Sequence, residues 1–204
     1  MNIRPVKSSE LGNLLSMTRQ TFIDTYEHLN DPVDFQAYLK KNFTLEKLKS
    51  ELITVENNTD VTVNEAWQET NKSNSVISNY YFVETDQLIG YFKINCHKSP
   101  LESDAPVIYP SEVDFKTLKG VEIERIYVVK GMKGHGIGRL MIEKTIEIAK
   151  INGFDYVWLG VWADNAAAIA FYQKMGFTVF GEHIFMMGND AQKDFLMMIE
   201  ILRY

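Results

Sequence analysis

The sequence predicts one mixed α/β domain over residues 1–204, and three observations support this prediction. A length of 204 residues suits a single domain, and 46% hydrophobic residues supply enough apolar side chains for a core. Segments with helical spacing of apolar residues alternate with short β-rich runs along the chain. No internal repeat or low-complexity segment interrupts this alternation, so the predicted strands and helices are expected to pack as layers around one core.

The first half of the chain is predicted to be mostly helical, with a hairpin at its end. The spacing of apolar residues such as Leu11 and Leu15 predicts a helix that begins near Ser8. The other predicted elements are a strand over 3–6, helices that open at Asp31 and Thr44, and a β-hairpin formed by 80–85 and 87–95. Residues 57–79 are rich in Asn, Thr, Ser and Glu, and we expect them to form a polar surface insertion.

The second half alternates strands and helices more regularly. The predicted elements are strands over 121–129, 154–162, 177–183 and 195–202, with one helix over 137–151. A second helix is predicted to begin at a cap formed by Asp164 or Asn165 and to end near Met175. Gly153 and Gly176 stand where these helices are expected to end, because glycine adopts the left-handed conformation of a helix stop at little cost. Residues 99–119 carry three prolines and are predicted to be a long connection.

Composition and charge narrow the function classes. The formal net charge of −6 disfavours general nucleic-acid binding, which needs basic surfaces against phosphate. The single cysteine, Cys96, excludes a disulfide within the chain, and no Cys/His cluster predicts a metal site. No stretch approaches the ~20 apolar residues of a membrane span, and the N-terminus lacks the apolar run of a signal peptide. We therefore expect a cytoplasmic protein without metal, nucleic-acid or membrane partners.

A glycine-rich turn over 130–139, Lys-Gly-Met-Lys-Gly-His-Gly-Ile-Gly-Arg, joins a predicted strand to a predicted helix. Glycine permits sharp bends and lets a ligand approach the backbone closely. Successive N–H groups at the start of a helix form an anion site, to which Lys133, His135 and Arg139 add donors or positive charge. The turn is therefore predicted to bind a phosphate or pyrophosphate group.

Two widespread phosphate-binding patterns do not fit this turn. A Walker A loop needs Lys and then Ser or Thr after its last glycine, but Ile137 follows Gly136. The dinucleotide fingerprint Gly-x-Gly-x-x-Gly fails because Arg139 stands where the third glycine belongs. On these residues alone, a purely structural turn stays open as the alternative.

The turn resembles the acetyl-CoA pyrophosphate loop of the GNAT superfamily of N-acetyltransferases. That loop has Arg or Gln, two residues, Gly, one residue, then Gly or Ala; Lys133, Gly136 and Gly138 fit the spacing, with Lys as a departure that keeps the charge. A second segment is similar to the family's Asn-x-x-Ala-x-x-x-Tyr motif and the Gly-Phe after it, at Asn165, Ala168, Tyr172, Gly176 and Phe177. Together the motifs cover about residues 121–182.

The resemblance implies the GNAT fold, a twisted, mixed and mostly antiparallel sheet flanked by helices on both faces. It also implies acetyl-CoA as co-substrate, no metal, and a strand before the loop that splays from its neighbour to bind the pantetheine arm. The cofactor contacts it implies are Ile126, Tyr127 and Val128 through the main chain, Lys133, Gly134, His135, Gly136, Ile137, Gly138 and Arg139 in the loop, and Asn165, Ala168 and Tyr172. A homodimer is expected from the family analogy alone.

A narrower resemblance points to the PaiA-type branch, which is associated with polyamine N-acetylation. It is carried by the segments 21–26, 123–128 and 181–198, together with Asn30, Asp34, Tyr38 and Leu39. The polar insertion over 57–79 departs from the compact pattern of that branch and leaves the acceptor open. Acidic residues of the first helices, Asp24, Glu27 and Asp34, are candidates for attracting a polycation, or are ordinary solvated side chains.

Two residues are candidates for the chemistry of acetyl transfer to an amine. An amine must be neutral to attack, so a carboxylate or an ordered water must take its proton. Glu122 and Glu124 share one face of a predicted strand, and the family position favours Glu124 as this base. The resemblance gives Tyr172 the role of the acid that protonates the leaving thiolate, while a backbone N–H near Val128 would stabilise the developing oxyanion.

Three functions remain open from the sequence. The leading one is acetylation of a small primary amine, with spermidine or spermine as the sharpest candidates. The second is an acetyltransferase for peptide N-termini or lysine side chains, which an open groove would favour. The third is a non-catalytic acetyl-CoA-binding regulator, and the presence of Tyr172 and Glu124 argues against it.

Overall fold

The computed structural model describes residues 1–52, 76–109 and 113–202. Within these ranges, eight strands form one sheet in the order β1-β2-β3-β5-β6-β8-β7-β4. The strands are β1 (Asn2–Pro5), β2 (Ile77–Glu84), β3 (Leu88–Cys96), β4 (Val107–Ile108), β5 (Gly120–Val128), β6 (Tyr156–Trp162), β7 (Thr178–Met187) and β8 (Asp190–Glu200). Only β5 and β6 pair in parallel, so the sheet is mixed and mostly antiparallel, as predicted.

Five α-helices flank the sheet in the described residues. They are α1 (Leu11–Tyr26), α2 (Pro32–Asn42), α3 (Leu45–Glu51), α4 (Ile137–Ile151) and α5 (Ala166–Lys174). Side-chain caps begin three of them: Asp31 accepts from two backbone N–H groups of α2, Thr44 from Lys47 in α3, and Asn165 from Ala168 in α5. These caps explain why the sequence alone predicted the starts of these helices.

The alternation of side chains along β2 places helices on both faces of the sheet. Tyr81 packs in the main core cluster with Met141 of α4, whereas Tyr80 packs with Leu14 of α1 and Leu48 of α3. Helices α4 and α5 therefore cover one face, and α1 to α3 cover the other. The fold implied by the resemblance is confirmed.

Strands β5 and β6 separate after a short paired stretch. Their pairing runs only from Gly120 with Tyr156 to Glu122 with Trp158. Beyond that point β5 continues alongside β3 as far as Val128, while β6 continues alongside β8 as far as Trp162. The sheet thus opens between β5 and β6, and the backbone groups of β5 on that side have no strand partner there.

The structure corrects several predicted boundaries. Strand β2 begins at Ile77, because residues 77–79 pair with 94–96 of β3 and so belong to the sheet rather than to the predicted insertion. The rest of that insertion, 57–75, lies outside the described residues. A short strand, β4, lies in the predicted connection 99–119, and β7 and β8 continue toward each other through 184–187 and 190–194. Pairing with distant partners, which local patterns do not show, sets these ends.

Candidate active site

A cavity of about 820 Å³ lies at the opening between β5 and β6. It extends from the loop before α4 to a wall formed by α1, α2 and the β7–β8 hairpin. The predicted site residues that line it are Glu124, Ile126, Tyr127, Val128, Lys133, Gly134, Gly136, Ile137, Gly138, Arg139, Asn165, Ala168 and Tyr172. The fold therefore brings residues from three separate segments to one cavity.

Three glycines shape the loop at one end of this cavity. Gly131, Gly134 and Gly136 have positive φ angles of 87°, 86° and 78°, a region that other residues adopt only at a cost. A Cβ added to any of them would meet nothing within 4 Å, so the loop presents open backbone. Gly136 is the N-cap of α4, whose first N–H groups have no partner within the helix.

The charges at this end suit an anionic group. Lys133 and Arg139 line the same part of the cavity as the glycine loop and the start of α4. Their positive charge adds to the partial positive charge of the helix N-terminus. The residues present therefore fit the pyrophosphate of acetyl-CoA, which brings the acetyl thioester to the site.

His135 does not line the cavity with the other predicted contacts. Its Nδ1 lies 3.1 Å from the carbonyl oxygen of Lys133 and 3.3 Å from that of Met132. The imidazole is thus folded against the carbonyl groups of its own loop. The structure therefore does not bring His135 together with the predicted contacts that line the cavity.

Tyr172 lies in α5 and lines the cavity, with 8% of its surface exposed. The helix is fixed at its start by Asn165, whose Oδ1 accepts a hydrogen bond of 3.1 Å from the backbone N–H of Ala168. It ends before Gly176, which has a φ of +92°. Burial raises the pKa of Tyr172 above its ordinary value of 10, so its phenol stays protonated around neutral pH.

Glu124 occupies an irregular position in β5. The pairing of β5 with β3 shifts between Lys93 and Ile94, and Glu124 is the extra residue at that shift. Because of this bulge, Glu124 and its neighbour Arg125 join one charged cluster, in which Glu124 pairs with Lys93 and Arg125 pairs with Glu51. Lys93 and Glu51 also pair with each other. Strict alternation along the strand would have placed the two neighbours on opposite faces.

Two cations hold the Glu124 carboxylate. Lys93 Nζ lies 2.5 Å from its Oε2, and Arg125 Nη2 lies 3.3 Å from its Oε1. Burial on its own would raise the pKa of Glu124, but the charges of Lys93 and Arg125 outweigh burial and lower it to about 2. Glu124 is therefore ionised at neutral pH, and it is a weak proton acceptor.

Glu122 has the opposite character although it lies two residues away. Asn95 Nδ2 donates to both carboxylates, at 2.6 Å to Glu122 Oε2 and 2.7 Å to Glu124 Oε2. Burial, reinforced by the negative charge of Glu124, raises the pKa of Glu122 to about 7. The two carboxylates share one face of the strand, as predicted, but their surroundings shift their pKa values in opposite directions.

The opposite end of the cavity has a wall of aromatic side chains. The ring centroid of Phe22 lies 4.9 Å from that of Tyr26 and 5.4 Å from that of Tyr38, and Phe185 of β7 lies 5.5 Å from Tyr38. Gln192 and Asp194 of β8 add polar groups to this wall. The chemistry of this end is therefore mainly apolar, with a few directed polar groups.

The acidic residues suggested on the first helices do not line this cavity. Asp34 Oδ1 instead accepts hydrogen bonds from the backbone N–H of Asn189, at 3.0 Å, and from its Nδ2, at 3.2 Å. These bonds tie α2 to the turn between β7 and β8. Asp24 accepts from Gln20 on the surface of α1. The cavity's own carboxylates, among the described residues, are Glu124 and Asp194.

Sequence reasoning missed the residues of the far wall. They include Phe22, Tyr26, Tyr38, Phe43, Gly160, Val161, Trp162, Phe185, Met187, Gln192 and Asp194. They come from α1, α2 and the residue after it, β6, β7 and β8, and they meet only in the folded chain. The segments 21–26 and 181–198, singled out by resemblance, contained six of them without showing which side chains face a ligand.

Other chemistries have less support in the described residues. Cys96 is fully buried in the core, and burial raises the pKa of its thiol well above its usual value, which disfavours a thiolate nucleophile. In residues 1–52, 76–109 and 113–202, no group of three His, Cys, Asp or Glu side chains is placed to hold a metal ion. The helices within those ranges also include none with the length and apolarity needed to cross a membrane.

Comparison with solved structures supports the fold. A PaiA N-acetyltransferase from Thermoplasma acidophilum, in complex with coenzyme A, is similar with a TM-score of 0.62 and 18% identity, over 98% of each chain. YncA, a putative acetyltransferase from Salmonella typhimurium with its cofactor acetyl-CoA, is similar with a TM-score of 0.56 and 16% identity, over 100% of this chain and 95% of that one. At these identities the likeness shows a shared fold.

Sequence comparison identifies the family of the chain as well as its fold. The profile described as the Acetyltransferase (GNAT) family matches residues 42–177. The uncharacterized N-acetyltransferase in the pepI 3′ region of Lactobacillus delbrueckii subsp. lactis is 30% identical over 198 residues, which is 97% of this chain and 95% of that protein. The profile and this relative cover the glycine loop, the opening between β5 and β6 and the helix that carries Tyr172. The chain therefore belongs to the GNAT family of acetyltransferases, which use acetyl-CoA as acetyl donor.

Proposed function

We propose that the protein transfers an acetyl group from acetyl-CoA to the nitrogen of a small primary amine, by direct attack within a ternary complex. The observation that carries this proposal is one continuous cavity of about 820 Å³. One end suits a pyrophosphate and the other has an aromatic wall with carboxylates, so both substrates have room to bind together. Holding two reactants in one cavity removes much of the entropic barrier to their reaction.

Tyr172 is the proposed acid of this reaction. It lies in the cavity, close to the opening where β5 exposes unpaired backbone groups. Its phenol is protonated at neutral pH and is therefore able to donate a proton to the leaving thiolate. A backbone N–H near Val128 is the proposed donor to the carbonyl oxygen as negative charge develops on it.

Glu124 is the proposed base, acting through an ordered water rather than by direct contact. Its carboxylate lines the cavity and is ionised, but Lys93, Arg125 and Asn95 already occupy its oxygens. A carboxylate with a pKa of about 2 holds a proton only briefly, so it serves to orient a water that passes the proton to solvent. This role requires Glu124 to keep its charge and its position.

Spermidine and spermine are the proposed acceptors. Support comes from the Asp194 carboxylate in the cavity, which attracts ammonium groups, and from aromatic faces that bind cations. Among proteins of similar fold, the one from T. acidophilum is named a PaiA N-acetyltransferase. The polyamine assignment for this chain rests on those two grounds.

The test is thiol release from acetyl-CoA by the purified protein, with spermidine, spermine, a lysine-containing peptide or no acceptor in parallel reactions. We expect saturable release with the polyamines and acetylated polyamine as the product by mass spectrometry. Release with the peptide alone would overturn the small-amine assignment in favour of protein acetylation. Binding of acetyl-CoA without release in the presence of any acceptor would instead support a regulator.

A further inference from the structure

Glu124 and Asp194 line the acceptor end of the cavity from opposite sides of the opening, and their electrostatic surroundings differ. Glu124 belongs to β5, whereas Asp194 belongs to β8 and pairs with Trp162 at the end of β6. Two cations neutralise Glu124. The only ion-pair partner of Asp194 in the described parts of the chain is His183, whose Nε2 lies 3.6 Å from Asp194 Oδ2.

No lysine or arginine among the described residues pairs with Asp194, and His183 balances its charge only when the imidazole is protonated. Lys193, its neighbour in sequence, pairs with Glu182 at 3.4 Å, and both of these side chains are more exposed than Asp194. The side chain of Asp194 is only 14% exposed. A carboxylate withdrawn from water is costly unless a cation pairs with it. Because Asp194 lines the cavity, a cation of a bound ligand has room to pair with it.

The groups around Asp194 favour an ammonium ion as that cation. Tyr26 lies close enough to sense the charge of Asp194: burial raises the pKa of Tyr26, a hydrogen bond with Tyr127 lowers it, and Asp194 raises it further. Tyr26 and Tyr38 also line the cavity and present aromatic rings to a cation. A carboxylate beside aromatic rings is a suitable site for an alkylammonium group.

His183 lies behind Asp194 and is positioned by a glycine. A Cβ at Gly160 of β6 would come within 2.9 Å of His183 Nε2, so the imidazole occupies space that a larger residue would take. The other ring nitrogen, Nδ1, is buried without a hydrogen-bond partner among the described residues. His183 is therefore a packing support that limits the movement of the Asp194 carboxylate.

The nitrogen that attacks and a nitrogen that binds Asp194 need opposite protonation states. The attacking nitrogen must lose its proton, but an uncompensated carboxylate stabilises an ammonium ion and raises its pKa. Asp194 thus suits a nitrogen that stays protonated throughout the reaction. Glu124, whose charge is neutralised, opposes deprotonation of a nearby nitrogen much less.

We infer that Asp194, supported by His183, binds a second ammonium group of the acceptor, so that the substrate is an amine with at least two cationic nitrogens. This inference rests on the proposed amine acetyltransferase activity and assigns recognition of a second cationic nitrogen of its acceptor to Asp194. Asp194 is then a specificity-determining residue, and His183 is a positioning residue. Binding of the second nitrogen therefore raises the affinity for the acceptor and leaves the affinity for acetyl-CoA unaffected.

The test uses two acceptors of nearly equal length, 1,4-diaminobutane and pentylamine, in which a methyl group replaces the second ammonium. For the wild-type protein we expect kcat/KM to be at least 10-fold higher for the diamine. Asp194→Asn is expected to remove this preference, mainly by raising KM for the diamine, so that the ratio of kcat/KM for the two amines falls to within about twofold of one. His183→Gln is expected to reduce the preference partly, again through KM for the diamine.

Glu182→Gln is the matched control, because Glu182 is the neighbour of His183 on β7 but pairs with Lys193 and Tyr109 at the surface. We expect it to leave the preference unchanged. Equal use of both amines by the wild-type protein would overturn the inference and leave the proposed function standing, whatever the folding of the variants. The same loss for both amines in Asp194→Asn would also overturn it. No transfer to any amine would overturn the proposed function as well.

Discussion

At the scale of single residues, burial raises the pKa of Tyr172 and keeps its phenol protonated at neutral pH. Tyr172→Phe keeps the packing of the ring on the sheet and removes only the proton donor. We expect turnover to fall by about 10- to 100-fold with the affinity for acetyl-CoA unchanged, because general acid catalysis acts on the reaction step. Steady-state kinetics and direct binding measurements check this. Tyr156→Phe, a buried tyrosine outside the cavity, is the control; an equal rate for Tyr172→Phe and wild type would remove Tyr172 from the mechanism.

The raised pKa of Glu122 links stability to pH. Its carboxyl group has a pKa of about 7 in the folded chain against an ordinary 4.5. The folded state therefore holds a proton that the unfolded state has lost, and the stability this contributes is present below pH 4.5 and is lost as the pH rises through 7. Above pH 7 the buried carboxylate is ionised beside Glu124 and destabilises the fold.

Glu122→Gln should accordingly be more stable than wild type at pH 8, by on the order of 1–3 kcal/mol. Gln keeps an oxygen to accept the hydrogen bond of Asn95 and carries no charge. The advantage should shrink progressively as the pH falls toward 5, which thermal unfolding at a series of pH values would reveal. Glu143→Gln on the surface of α4 should show no such trend, and a constant difference for Glu122→Gln at every pH would contradict the assignment.

At the scale of elements, the loop before α4 depends on glycine for two separate reasons. Gly131 and Gly136 both have positive φ, so replacing either with Ala costs about 1–2 kcal/mol of folding stability. Only Gly136 lines the cavity and caps α4, where a methyl group would cover the N–H groups that face the ligand. A comparison of the two variants therefore distinguishes the effect of backbone strain from the effect of a lost contact with the ligand.

We expect Gly136→Ala to weaken acetyl-CoA binding by about tenfold, which corresponds to the loss of one or two hydrogen bonds. Gly131→Ala should lose similar stability but keep its affinity within about twofold. Isothermal titration calorimetry and thermal unfolding of both variants provide the comparison. Equal losses of affinity in the two variants would show that strain in the loop, rather than contact, determines binding.

At the scale of the whole molecule, β5 and β6 separate, and residues from the helices on both faces of the sheet line the cavity at this opening. Acetyl-CoA binds only the folded chain, and saturation at 100 times its dissociation constant stabilises the folded state by about 2.7 kcal/mol. For a chain of 204 residues this predicts a rise in Tm of roughly 5–10 °C. Differential scanning fluorimetry measures it. The acetyl thioester of N-acetylcysteamine, which lacks the pyrophosphate, should give a much smaller shift; an equal shift would contradict the role of the glycine loop.

Local patterns in the sequence by themselves determined much of this protein. The caps at Asp31, Thr44 and Asn165, the helix stop at Gly176 and the glycine loop over 130–139 depend on nearest neighbours in sequence, and they stand where predicted. The loop and the segment around Tyr172 also carried the family resemblance, because a phosphate-binding backbone restricts residue choice over a short span.

Only the tertiary structure decided the other half of the site. Residues far apart in the chain determine three features: the bulge that places Glu124 and Arg125 in one charged cluster, the pairing with Lys93 that lowers the pKa of Glu124, and the place of Asp194 in the cavity. Strand pairing and burial act between such residues, and neither leaves a local signature in the sequence. Most residues at the glycine-loop end of the cavity were therefore named from the sequence, whereas those of the aromatic wall required the fold.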